Sequence, residues 1–87
     1  MEAVTEPTLR ILADAGSLTA VEVHADGASW YVQVRIGAEY RVVASRREQR
    51  RTWRDLNTVV DWLRDKIGVA TIIVHAAHRS AQQGMVS

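Results

Sequence analysis

The chain has no cysteine, no run of apolar residues approaching the ~20 needed to cross a bilayer, and no two glycines close enough together to form a phosphate-cradling loop. Each absence removes a class of function. Without cysteine there are no disulfide staples, no thiol catalysis and no zinc sites built on sulfur, so packing alone must hold the core, as a reducing compartment permits. The first residues, Met1 to Pro7, carry two glutamates where a signal peptide would carry lysine or arginine. A cytoplasmic protein without membrane contact is therefore expected. The glycines at 16, 27, 37, 68 and 84 stand singly, each near an expected turn, stop or tail. Ser17, Ser29, Ser45 and Ser80 have no base and acid beside them in any recognisable motif. Asp61 and Asp65 share a helical face, but Arg64 and Lys66 flank them, as on an ordinary solvated surface. No small-molecule substrate or cofactor is evident, and a non-enzymatic protein is expected.

What is present is one domain's worth of ordinary globular sequence. Its 87 residues are 47% hydrophobic and 24% charged, and a chain of this size buries only about 60–70% of its unfolded surface, which leaves little room for a deep cleft. Net charge is +1, but the charges are segregated. Residues 1–34 hold one base, Arg10, against five acids, whereas residues 35–87 hold ten bases against five acids, with six arginines between Arg41 and Arg54. Such clustering points to an anionic partner, or to a solvated arginine-rich turn.

Periodicity orders the chain as (short α)-β-β-β-α-β. A short helix spans Pro7 to Ala15, with Leu9, Leu12 and Ala13 on one face and Gly16 as its stop. From Leu18 the period becomes two: Val21 and Val23 lead into a turn at Asp26-Gly27, and Trp30, Val32, Val34 and Ile36 alternate with Tyr31, Gln33 and Arg35. That turn pairs Val23 with Trp30. A three-residue loop from Gly37 to Glu39 then keeps Tyr40 and Val42 on the apolar face and sets Arg41 opposite Arg35. Arg46 to Arg51 extends the third strand as a bent ribbon toward Trp53. A helix starting between Asp55 and Asn57 and ending at Gly68 carries Leu56, Val60, Leu63 and Ile67 in a stripe widened by Val59 and Trp62. Val69 to Ala76, a β-branched run, is expected to be a fourth strand buried on both faces. The sum is an α+β domain over residues 1–76, an antiparallel sheet of three to four strands with one main amphipathic helix on one face, and a flexible tail over 77–87.

Two surfaces emerge as candidates for function. Like charges directly opposed on a sheet are destabilising unless something anionic meets them, so the expected Arg35/Arg41 pair calls for an explanation. With Tyr31 and Gln33 beside it, and Arg46, Arg47, Arg50, Arg51 and Arg54 in the adjoining segment, the face has the composition of a β-sheet nucleic-acid reader. The plainer alternative is a charged face neutralised by Glu22, Glu39 and Glu48. Trp30 and Trp53 fall on core positions, whereas Trp62 with Val59 at the edge of the helical stripe would mark a protein contact such as a homodimer. His75 and His78 have a three-residue spacing, but with His24 about fifty residues away in a hairpin they do not read as a preorganised metal site, and no metal is expected.

The run Trp30-Tyr31-Val32-Gln33-Val34-Arg35 followed by Arg51-Thr52-Trp53-Arg54-Asp55-Leu56-Asn57-Thr58 is similar to the three-stranded arm-binding domain of tyrosine integrases. That resemblance implies a sheet lying in the DNA major groove through Tyr31, Gln33, Arg35 and Arg41. The chain lacks that family's lysine- and glycine-rich loops. Tyr40-Arg41-Val42-Val43, the segment Arg50 to Thr58, and Trp62-Leu63-Arg64-Asp65-Lys66-Ile67-Gly68-Val69 resemble the small ParC-family partition-associated proteins of plasmids and integrative elements, which are distinct from the topoisomerase subunit of the same name. This second resemblance implies the setting of mobile-element maintenance more than a mechanism; taken with the surfaces above, it leads to the expectation of an accessory protein with DNA, a second copy or another partition protein as partner.

Overall fold

The computed structural model describes residues 2–76, so the expected tail over 77–87 lies outside the described residues, as does His78. The chain enters a sheet at once. Glu2–Thr5 form strand β1, with Val4 buried, and Thr5, in extended conformation, occupies the N-cap position of helix α1, Glu6–Asp14, without a capping side-chain bond. Pro7 sits in the first turn of α1, where its missing N–H leaves no bond unmade. Leu9 is the side chain α1 buries fully.

Strands β2 (Ala20–Asp26), β3 (Ser29–Ile36) and β4 (Glu39–Ala44) follow as an antiparallel meander, and β5 (Thr52–Trp53) returns to pair with β3. Helix α2 (Leu56–Trp62) continues without a break into a π-helical turn, Leu63–Ile67, and stops at Gly68. Its start is as expected: Asp55 is the N-cap, and its carboxylate accepts the Asn57 N–H at 2.8 Å. Strand β6 (Ile73–His75) completes a six-stranded sheet of order β1-β4-β3-β2-β6, with β5 beside β3.

The α+β class therefore stands, but the sheet is mixed and not antiparallel throughout. β1 runs parallel to β4 and β6 parallel to β2. β1, four residues of which only Val4 is buried, is too short to show a period. The β-branched run from Val69 yields a strand only at Ile73–His75, and this strand is a half-exposed sheet edge, not a buried centre: Ile73 is 47% and Val74 42% exposed, with β2 its only partner among the described strands.

Both hairpin registers differ from expectation. In the first, Asp26 pairs with Ser29, Ala25 with Trp30 and Val23 with Val32, so the loop is Gly27-Ala28. The shift is two residues, which preserves the faces. In the second, Ile36 pairs with Glu39, Arg35 with Tyr40 and Val34 with Arg41. The loop is Gly37-Ala38, two residues and not three. An odd slip exchanges faces, so Arg41 and Val43 join the helix side while Tyr40 and Val42 lie on the other. Gly27 and Gly37 occupy the same place in the two loops with φ of 64° and 63°, the left-handed region that glycine enters without penalty.

The core lies between the sheet and both helices. Val4, Val21, Val23, Ala25, Trp30, Val32, Val34 and Val43 meet Leu9 of α1, Val59 of α2, and Leu63 and Ile67 of the π turn. Trp30 and Trp53 are core residues, as their positions imply, and pair across β3 and β5. The excursion between β4 and β5 is closed by the Arg51 N–H donating to the Val43 carbonyl at 2.8 Å and the Ser45 N–H to the Glu48 carbonyl at 2.9 Å. Contrary to expectation, the segment Arg46 to Arg51 therefore does not extend the third strand: it is a bent loop that brings the chain back to pair with β3.

Candidate functional site

The helices cover one face of the sheet only. Alternation therefore delivers Glu22, His24 and Asp26 from β2, Tyr31, Gln33 and Arg35 from β3, Tyr40 and Val42 from β4, and Ile73 and His75 from β6 to the opposite face. No described helix packs on this side. Its central feature is a ladder of parallel groups standing across adjacent strands. The His75 and His24 rings stack at 4.4 Å and 7°, His24 and Tyr31 at 5.3 Å and 14°, and the Arg50 guanidinium lies 4.2 Å from the Tyr31 ring centroid. Asp26 anchors Arg50 from below. Below the histidines, one oxygen of Glu22 lies 2.9 Å from His24 Nε2 and 3.5 Å from His75 Nε2. Tyr31, Gln33, Val42, Gln49 and Arg50 line a shallow recess beside the ladder.

The arginines proposed from sequence separate into three groups. Arg35 and Arg50 belong to this open face. Arg35 donates from Nε to the Gly37 carbonyl at 2.8 Å and stands 5.7 Å from the Tyr40 ring. Arg41 and Arg51 lie on the helix side and are engaged there. Arg41 pairs with Glu39 at 2.7 Å and Glu2 at 3.1 Å. Arg51 lies 4.6 Å from the Trp53 ring centroid and 5.1 Å from that of Trp62, with Glu6 at 3.7 Å. The expected Arg35/Arg41 opposition does not exist, because the two-residue loop at Gly37 places these side chains on opposite faces. Arg46, Arg47 and Arg54 are exposed and have no ion-pair partner among the described residues.

The segregation of charge along the sequence is thus largely undone by folding. Glu2, Glu6 and Asp26 of the acidic half meet Arg41, Arg51 and Arg50 of the basic half. The proposed Val59/Trp62 contact is also corrected. Val59 is fully buried against the sheet, and Trp62 is half-buried, packed on Trp53 at 5.1 Å and on Arg51. The helical stripe is wide enough to take both into the core.

His24, His75 and Glu22 were not grouped by sequence reasoning, because fifty residues separate the histidines. The signal was present in two parts: Glu22 and His24 alternate onto one strand face, and His75 sits in a β-branched run. Joining them required the parallel pairing of β6 with β2, which no local pattern encodes. No protein-family model, curated protein or solved structure matches the chain.

Proposed function

We propose that this chain is a non-enzymatic accessory protein that contacts DNA through the open face of its sheet and the adjoining arginine link, in the setting of plasmid or mobile-element maintenance that the partition-protein resemblance implies. The observation that carries the reading is the grouping of Tyr31, Gln33, Arg35 and Arg50 on an uncovered face, with Arg46 and Arg47 exposed in the same link as Arg50 and in no ion pair among the described residues. Guanidinium groups contact phosphate and guanine edges, glutamine reads adenine, and tyrosine meets sugar or base. Arg41 and Arg51 are not part of this surface, since their ion pairs and ring contacts hold them on the helix side.

The test is fluorescence anisotropy with labelled duplex and single-stranded DNA over a salt series. Binding at low salt that weakens steeply with salt, and weakens further in Arg46→Ala/Arg47→Ala, is expected. Absence of binding at low salt refutes the reading.

A second reading, an assembly module, draws on the β6 edge, where Ile73 and Val74 are exposed on a strand with an unpaired side among the described strands. A dimer seen by light scattering that Val74→Lys abolishes, with no DNA binding, would select it.

A further inference from the structure

We propose that Glu22, His24 and His75 form a binding site for a first-row divalent metal ion, zinc being the biological ion that the donor set fits best. The inference is independent of the DNA reading. Its basis is convergence of donors on a rigid support. Glu22 and His24 are two residues apart on β2 and so project from the same face, while His75 is the register partner of His24 on β6. All three side chains thereby offer one ligand atom each within 4.8 Å of one another.

The spacing matches the chemistry. Zinc–nitrogen and zinc–oxygen bonds of about 2.0–2.2 Å at a tetrahedral centre set neighbouring ligand atoms about 3.3 Å apart. The Glu22 oxygen is 2.9 Å from one Nε2 and 3.5 Å from the other, so a cation between the three would replace the two contacts of the carboxylate. His24 and His75 stack nearly parallel, at 4.4 Å and 7°, and an imidazole lone pair lies in its ring plane, so ligation of one ion requires the more exposed His75 ring to turn about its side-chain bonds while Tyr31 stacks on His24. Two imidazoles and one carboxylate favour a borderline ion such as zinc, cobalt or nickel over magnesium or calcium, which prefer an all-oxygen shell. The side chains of Glu22 and His24 are 17% and 23% exposed and that of His75 46%, so the site opens to solvent on the His75 side. Water can complete the coordination there.

The experiment uses the untagged full chain, stripped with EDTA and titrated with zinc chloride by calorimetry and with cobalt(II) by visible absorption. One equivalent binding in the micromolar range is expected, with imidazole resonances of His24 and His75 shifting in NMR spectra. Glu22→Gln, His24→Ala and His75→Ala should each weaken binding by about tenfold or more. Glu22→Gln preserves shape and hydrogen bonding, so it tests ligation in a chain that still folds, as circular dichroism of each variant will verify. Lack of saturable binding in the micromolar range overturns the proposal, as does binding that all three substitutions leave unchanged.

Discussion

Replacing Gly37 by alanine should destabilise the protein by about 1 kcal/mol, and the sign of that change reports which sheet register the chain adopts. Gly37 has φ of 63°, and a Cβ built on it meets nothing within 4 Å, so sterics with neighbours contribute nothing and the effect is purely one of backbone. An L-residue in the left-handed region costs roughly 1–2 kcal/mol. Restricting the unfolded chain returns about 0.4–1 kcal/mol. A net loss of about 1 kcal/mol corresponds to a fall in Tm of about 4–8 °C for a domain of this size. Gly37→Asn, whose side chain tolerates the left-handed region, should recover much of the loss. In a three-residue loop spanning Gly37 to Glu39, the left-handed position would instead be the third. Gly37→Ala would then be neutral or stabilising and Glu39→Gly beneficial. Thermal and urea unfolding followed by circular dichroism measure all three variants. A Gly37→Ala protein as stable as the parent would refute the two-residue loop and return Arg41 to the open face.

Leu63, fully buried in the π turn, should cost about 2–5 kcal/mol when cut to alanine, seen as a lower urea midpoint with an unchanged slope; a change under 1 kcal/mol, by the same yardstick, would mean that the π turn does not pack as described. Asp55→Ala removes the oxygen that accepts the Asn57 N–H and should cost about 1 kcal/mol, whereas Asp55→Asn or Asp55→Ser should retain most of the cap. Arg46→Ala and Arg47→Ala should leave the Tm unchanged, because neither side chain has an ion-pair partner among the described residues; a clear loss of stability would show that these arginines act within the fold.

Strands β2, β3 and β4, both helices and much of the core were legible in the sequence because each rests on a local period: two for Val21 to Ile36, and three or four for Leu56 to Ile67; β1 with Val4, and the burial of Val43, were not. The registers were not legible to the same degree. Asp-Gly is a strong turn dipeptide and points to Asp26-Gly27 as the turn centre, yet Gly27-Ala28 and Gly37-Ala38 make the two loops. The repeated Gly-Ala pair, read alike at both places, would have set both registers. At the second turn the apolar pattern misled. It puts Tyr40 and Val42 in the core, but β4 has β1 as a second neighbour, and Arg41 is held on the helix side by Glu2 of that strand, which no period announces. Ion pairs and parallel pairings between distant segments leave no period in the sequence. That is why Arg41 was assigned to the wrong face and the Glu22–His24–His75 group was missed.

The loss of Arg41 and Arg51 from the candidate surface limits what one copy can do with DNA. Seven arginines were proposed from sequence. Of these, Arg35, Arg46, Arg47 and Arg50 belong to the open face and its link, and Arg50 already shares its charge with Asp26. Phosphate contacts release counterions with a slope of about −0.9 per contact on duplex DNA and about −0.7 on single strands. Four contacts thus give a slope near −3.6 on duplex, and removing Arg46 and Arg47 should bring it toward about −1.8. On the proposed reading a surface this small would bind DNA weakly at physiological salt, so tight association would need several copies on one site, where each further contact is made at high effective concentration. The β6 edge, at the margin of the same sheet, is where such copies would meet without covering the arginine link. If copies do meet there, the two functional readings are parts of one mechanism, and Val74→Lys should weaken DNA binding at moderate salt while leaving the slope of the isolated monomer unchanged. A Val74→Lys chain that binds as tightly as the parent at every salt concentration would separate the two readings again.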